Sequence, residues 1–461
     1  MVTWNLPLRL AGLLLFTTAG LSGCSDPTGP QPHPPNVVLI VVDDLRWDGM
    51  NASGQSFSVT PNIDRLARDG ILFSNAFAVS SVCAPGRASI LTGLYPHDHG
   101  TTTNAEPWNR LDANVFSTAK SNGHRVGFVG KWHLKGAETP PEWIDRWVSW
   151  PGQGEYLNPT INIDGEDIQH SGHLTDILTD HADRFVRESA DSAFFLTLSY
   201  RAVHGPRIPL DRHKGALAAQ AVKVPTTFDE PLAGKPAFVA ERAISQDSAT
   251  LQATIRRYYE MLAGVDDGVG DILATLEELD LLDKTLIILT SDNGYMLGEH
   301  HLFDKRVAYE ESIRVPLIVR WPSWFGGGQV SARIALNVDI APTIAHALTG
   351  EAGLPGGRPV ARDLAGYSLK HVADGGVDRL AFLYEYYHDG QFPETPPLRA
   401  IRTHRYKYVT YLQEGQIDEL YDLEVDPIER TNLIGSAAHK HILEQLRQEL
   451  ERLRSLAGDM S

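Results

Sequence analysis

The sequence predicts an α/β protein: a large, mostly parallel (mixed) sheet sandwiched by helices, with a smaller C-terminal antiparallel sheet plus helix. Three observations carry that reading. Continuous apolar runs rich in β-branched residues alternate with helical patterns, several of those runs end in polar clusters, and the pattern changes after a Gly- and Pro-rich stretch near residue 360.

The first run is Asn36-Val37-Val38-Leu39-Ile40-Val41-Val42, apolar after its first residue, as suits a parallel strand covered on both faces. Residues 125–129, 194–199 and 285–290 read the same way. Val315-Pro316-Leu317-Ile318-Val319 is a fifth candidate, with Pro316 restricting it to an edge or a strand start. Ile255 to Leu279 is the clearest helix, with Leu262, Val265, Val269, Ile272, Leu273 and Leu276 near helical spacing. Residues 350–366 read as a linker. Beyond it, residues 381–386, 399–403 and 406–411 predict antiparallel strands. A helix over 437–456 carries Leu443, Leu446, Leu450 and Leu453 on one stripe, expected to pack on that small sheet.

At the N-terminus, Arg9 precedes a short apolar stretch, and Leu21-Ser22-Gly23-Cys24 closes it. The stretch is too short to span a membrane, which takes about 20 residues, and reads as a signal-peptide core. The ending resembles a bacterial lipobox, which implies cleavage before Cys24 and lipidation of its thiol; an ordinary secretory signal is the alternative. Pro27, Pro30, Pro32, Pro34 and Pro35 make the next segment a semi-rigid tether. The expected organisation is therefore a signal peptide over 1–23, a tether over 24–35, a catalytic domain over 36–350, a linker over 351–366 and a C-terminal subdomain over 367–461. The protein is expected to be exported and held at the periplasm or cell surface through Cys24 alone.

With 41 Lys+Arg against 58 Asp+Glu, the net charge is −17, which argues against generic nucleic-acid binding. An anion site must then be a local basic pocket, feasible because fields fade over about 8 Å at physiological salt.

Four runs end in such polar material: Asp43-Asp44, Gly130-Lys131-Trp132-His133, His204-Gly205-Pro206 and Ser291-Asp292-Asn293-Gly294. Ligands of open α/β sheets sit beyond the carboxyl ends of the strands, so one crevice could collect all four. Each motif alone is an ordinary turn; their repeated placement is informative. Two carboxylates about 4 Å apart repel by about 4 kcal/mol at an effective dielectric of 20, so Asp43, Asp44 and Asp292 together call for a cation. With the Asn293 amide they make an all-oxygen site suited to calcium or magnesium. Zinc, which His133 and His204 could bind, fits less well.

Ser81-Val82-Cys83-Ala84-Pro85-Gly86-Arg87-Ala88-Ser89-Ile90-Leu91-Thr92-Gly93 is the sharpest signal. Pro85 suits the first turn of a helix, which would put Cys83 at its N-terminus with Arg87 one turn on. Local physics reads this as an activated thiolate beside an anion hole; the competing reading is a buried, inert cysteine.

Cys83-x-Pro85-x-Arg87 followed by Ala-Ser-Ile-Leu-Thr-Gly resembles the signature of type I sulfatases, the formylglycine-dependent branch of the alkaline phosphatase superfamily. The likeness extends through residues 36–44, Thr60-Pro61-Asn62-Ile63-Asp64, the strand-end motifs, and Lys305 through Arg314-Val315-Pro316. It implies that a formylglycine-generating enzyme oxidises Cys83 to formylglycine. Asp43, Asp44, Asp292 and Asn293 would then hold a calcium ion, with residue 83 completing the shell. Arg87 and Lys131 match residues that hold the formylglycine and the sulfate oxygens. His133 matches the base that helps expel sulfate. His204 and Lys305 match the pair that binds sulfate and protonates the departing oxygen, and which of them is the acid stays open. The resemblance also implies the chemistry: a hydrated aldehyde attacks sulfur, and its second hydroxyl later expels sulfate. Lys135, where the family often has glycine, puts a nearby loop in doubt.

Residues 150–156, 162–165 and 176–180 resemble bacterial glycan sulfatases, notably the N-acetylglucosamine-6-sulfatase type. The expected substrate is thus a sulfated saccharide, with 6-O-sulfated N-acetylglucosamine as the candidate. His97, His99, His170, His300, His301 and Arg207 could line a pocket, although loop histidines are more often solvated or structural. A phosphonate or phosphate ester hydrolase on the same scaffold is the nearer alternative, and a non-catalytic glycan-binding lipoprotein the farther one.

Overall fold

A computed structural model describes residues 34–108, 113–135, 139–355 and 362–459. The expected signal peptide, Cys24, most of the tether and part of the linker lie outside the described residues. Among the described residues, no helix is long and apolar enough to cross a membrane.

The strands, in chain order, begin with β1 (Asn36–Val42), β2 (Ile71–Phe77), β3 (Arg125–Gly130) and β4 (Arg146–Ser149). There follow β5 (Thr160–Ile163), β6 (Glu166–Gln169), β7 (Phe194–Tyr200) and β8 (Thr285–Thr290). A two-stranded ribbon, β9 (Met296–Leu297) with β10 (Phe303–Asp304), precedes β11 (Leu317–Arg320) and β12 (Gln329–Leu336). The large sheet has ten strands in the order β12-β2-β11-β8-β1-β7-β3-β4-β5-β6. Strands β8, β1, β7, β3 and β4 are mutually parallel. β11 is antiparallel to both β8 and β2, which makes β2 run with the parallel block. Pro316 stands just before β11, so its missing N–H falls outside the strand even though β11 is internal.

All seven residues of β1 are buried. Val38, Ile40 and Val42 face one core with the helices Leu174–Glu188 and Ser248–Glu278; Val37, Leu39 and Val41 face another with Cys83–Thr92, Val115–Ser121 and Ile340–Thr349. Burying each such side chain contributes about 1.5–3 kcal/mol, so two-sided burial places β1 at the centre of the sandwich.

The C-terminal antiparallel sheet contains β13 (Ala381–Tyr386), β14 (Leu398–Thr403), β15 (Tyr406–Tyr411) and β16 (Glu419–Asp422) in that order. The helix Lys440–Leu456 packs Leu443, Leu446, Leu450 and Leu453 into a core shared with this sheet. Leu369 and Val372, on the short helix Leu369–Ala373, join the core of the large sheet instead. The core shared by the small sheet and the helix Lys440–Leu456 also holds Phe77, Val79 and Val82, so the small sheet packs against the chain leading from β2 to Cys83.

Candidate active site

The parallel block brings the ends of β1, β3, β7 and β8 to one edge, and with them Asp43 and Asp44, Lys131 and His133, His204, and Asp292 and Asn293. β2 ends at the same edge and leads into the helix Cys83–Thr92, which is buried along its whole length. Cys83 is its first residue and Pro85 lies in its first turn. Gly86 is pressed against the Asp292 backbone: a Cβ there would lie 2.3 Å from the Asp292 carbonyl oxygen. The segment ahead of the helix is pinned through Ser81 Oγ, 2.5 Å from the Tyr384 hydroxyl on β13 and 2.9 Å from Ser312 Oγ.

The Cys83 thiol sits among charged groups. Sγ lies 3.7 Å from Asp43 Oδ1, 2.9 Å from Lys305 Nζ and 3.9 Å from Lys131 Nζ. Lys131 also bonds Asp43, and Lys305 bonds Asp44. Arg87 donates from Nε to Asp292 Oδ2 at 3.0 Å and from Nη1 to Lys131 O and Ser199 Oγ, both at 2.6 Å. Gly130 lets the backbone of β3 pass close to β7: it has φ 126°, and a Cβ would fall 1.9 Å from Ser199 O. His204 Nε2 lies 3.9 Å from Asp44 Oδ2. His133, at φ 55°, has Nε2 3.3 Å from the Gln153 amide nitrogen.

Burial decides the thiol's state. It pushes Cys83 up to about 12, with Asp43 and Asp292 adding to the rise against Lys131 and Lys305. Burial therefore works against the activated thiolate that local physics suggested. Burial also works against ionisation of Asp43, but the cations Lys131, Arg87 and Lys305 hold its carboxyl well below the usual range. Asp292 is raised to about 6 by burial and by Asp43. His133 is lowered to about 2 by burial and by Lys131 and Arg87, and His204 is lowered by burial and Lys131.

The donor set fits a hard divalent cation. Carboxylate oxygens of Asp43, Asp44 and Asp292 all lie within 4.8 Å of one another. Asp44 Oδ2 and Asn293 Oδ1 are buried and have no hydrogen-bond partner. Orphaned buried oxygens beside clustered carboxylates are what a cation satisfies. Asp43, Cys83 and His204 form a second, overlapping group with ligand atoms as close. All ten residues expected at the site are therefore gathered at this edge.

The histidines expected near a pocket have other partners. His97 Nδ1 meets Glu385 at 2.8 Å, His99 meets Ser89 and His170 meets His181. His300 Nδ1 is 2.5 Å from Glu230 Oε1, and His301 faces the Glu230 carbonyl. Arg207 lies over the rings of Tyr258, Tyr295 and Phe303. Asp176, in one of the phrases shared with glycan sulfatases, is bound by Arg212. Sequence reasoning missed Arg201 and Ser199. Both lie at the end of β7, and that position is the signal that could have found them.

Known proteins resemble this chain over most of its length. The model of the family described as Sulfatase matches residues 35–350, and that described as N-sulphoglucosamine sulphohydrolase, C-terminal, matches residues 298–456. An N-acetylglucosamine-6-O-sulfatase of Bacteroides thetaiotaomicron is 29% identical over 510 residues, covering 95% of this chain and 89% of that one. A structure solved in complex with its substrate, D-glucosamine-2-N,6-O-disulfate, superposes with a TM-score of 0.85 at 28% identity over 93% of this chain and 99% of that one. The phosphonate monoester hydrolase of Agrobacterium radiobacter superposes at 0.73 with 25% identity, covering 92% and 96%.

Proposed function

The chain belongs to the sulfatase family of the alkaline phosphatase superfamily, and from that premise we propose that it removes sulfate from a sulfated saccharide, with 6-O-sulfated N-acetylglucosamine as the substrate. One observation carries the mechanistic part: Cys83 is sealed at a helix start between Asp43, Lys131 and Lys305, beside orphaned oxygens of Asp44 and Asn293. A protonated thiol is useless there, whereas a residue 83 oxidised to formylglycine would stand beside the cation-binding oxygens. The relatives named for 6-sulfated glucosamines support the substrate class.

Asp43, Asp44, Asp292 and Asn293 would hold calcium, or magnesium, with residue 83. A formylglycine hydrate at residue 83 would supply a nucleophilic hydroxyl, and a cation held by these oxygens would supply Lewis acidity. The remaining work falls to this chain's side chains. Arg87, Lys131 and Lys305 balance the three aspartates charge for charge, so a bound divalent ion leaves the pocket positive, as an anionic ester requires. Arg87 and Lys131 hold residue 83 and sulfate oxygens. His204 and Lys305 bind the sulfate and bring a proton to the departing oxygen. His133 is the base that would accept the proton whose removal lets sulfate leave.

The test uses protein produced with a formylglycine-generating enzyme. The Cys83 peptide should be lighter than its cysteine form by about 18 Da, and the protein should release sulfate from 6-sulfated N-acetylglucosamine. Chelation should stop release and calcium restore it. Active protein with an unmodified Cys83 peptide would refute the mechanism. The likeness to a phosphonate monoester hydrolase supports a second reading on the same scaffold. Faster turnover of an aryl phosphonate than of an aryl sulfate would favour it.

A further inference from the structure

Two residues given no part so far enclose His204. Tyr156 is 2% exposed, and its hydroxyl donates toward two carbonyl oxygens: His204 O at 2.7 Å and Arg201 O at 3.1 Å. Arg201 is 4% exposed and lays its guanidinium over the Tyr156 ring, 4.1 Å from the centroid. Its Nη2 donates to Gly205 O at 3.2 Å. The same carbonyl lies 2.7 Å from His204 Nδ1. A carbonyl only accepts, so Nδ1 carries the hydrogen and Nε2 is the ring atom left for chemistry. The turn is further tied by His204 N–H to Arg201 O at 3.0 Å and Val203 N–H to Asp43 O at 2.9 Å.

Arg201 is an expensive choice as a packing residue. Among the described residues no carboxylate pairs with it, and its Nε and Nη1 are buried without partners. A buried cation lacking a counter-ion costs stability that an apolar side chain would not. Its stack on Tyr156 and its bond to Gly205 both act on the turn that carries His204.

We propose that Tyr156 and Arg201 are positioning residues that fix the ring of His204 through its Nδ1 hydrogen, so that Nε2, which carries the second proton when the ring acts as the acid, faces the departing alcohol oxygen. This rests on the part given to His204 above. Protonation of that oxygen matters for a sugar alcohol, a poor leaving group, and hardly at all for a nitrophenol.

The experiment compares kcat/KM on 6-sulfated N-acetylglucosamine and on nitrophenyl sulfate, using matured enzyme loaded with calcium. His204→Ala comes first and should lose far more on the sugar than on the aryl ester. Tyr156→Phe keeps the ring stack and removes the hydroxyl; it should lose about tenfold on the sugar and under about twofold on the aryl ester. Arg201→Met should shift the ratio the same way. A poorly folded variant loses equally on both substrates, so the ratio separates positioning from folding. In the His204→Ala background, Tyr156→Phe should change the ratio by less than about twofold. Equal losses in His204→Ala would overturn the reading of His204, and this proposal with it. A selective loss in His204→Ala but equal losses, or none, in Tyr156→Phe would overturn the positioning proposal alone.

Discussion

Cys83 shows how one residue's surroundings can favour a chemistry its side chain does not perform. The helix start and Arg87 argue for a thiolate, yet full burial beside Asp43 and Asp292 outweighs Lys131 and Lys305 and leaves the thiol protonated. Charge at this position is therefore carried by the cations and carboxylates around it. In the proposed chemistry residue 83 must provide two hydroxyls, one to attack sulfur and one to expel sulfate. Serine provides only one. Cys83→Ser should therefore leave the melting temperature close to that of the unmodified protein and release no more than one alcohol per site. Quench-flow measurement of alcohol release checks this, and sustained turnover by Cys83→Ser would refute the need for a second hydroxyl.

At the scale of elements, the small sheet meets the segments around the site through a few buried contacts. Glu385 of β13 donates its N–H to Val79 O at 2.9 Å, and its side chain holds His97 on the short helix Pro96–His99. Burial opposes the charge on His97, but hydrogen bonds and attraction to Asp98 and Glu385 win and raise it to about 9 from an ordinary 6.5. A raised folded value means that the charged pair stabilises fully below about pH 6.5 and is lost as pH rises through about 9. Replacing His97 with Gln should therefore lower the melting temperature most at pH 6, with the gap to wild type closing by pH 9.5. A gap that widens with pH would reverse the assignment. The sequence read β1, β3, β7 and β8 well because two-sided burial writes itself as unbroken apolar runs. β2, Ile-Leu-Phe-Ser-Asn-Ala-Phe, was missed because Ser74 and Asn75 interrupt its run and bond to the backbone of β12. β12 is an edge strand with an exposed first half, and β6 is exposed throughout, so neither carries a core signal. The site was more legible than the sheet. Its residues cluster just beyond strand ends in polar motifs, whereas Ser199 and Arg201, also at a strand end, stand outside any such motif and show their roles only through contacts with Arg87 and Tyr156.

On the scale of the whole molecule, acidity and anion binding coexist because they act over different distances. The net charge is −17, but Arg87, Lys131 and Lys305 are buried at one edge of the sheet, where solvent and salt screen them little. The surface charge then sets how the molecule meets an acidic glycan, and the buried cations set what happens once the ester is inside. Encounter should be slower at low ionic strength, where like charges repel over longer distances. Such a molecule gains from being held near its substrate, which is the service an anchor at Cys24 would provide; Cys24 lies outside the described residues, and the anchor is proposed from the Leu21-Ser22-Gly23-Cys24 sequence alone. Acylation adds about 0.8 kcal/mol of membrane affinity per buried methylene, and the thiol is the atom that would carry the chain. Cys24→Ala should therefore move the enzyme from the membrane pellet to the soluble fraction while its sulfate release per molecule stays the same, since the proposed chemistry uses none of the Cys24 side chain. Fractionation of expressing cells followed by activity assay of both fractions checks this; an unchanged membrane share in Cys24→Ala would mean that the chain is held, if at all, by some other part of the molecule.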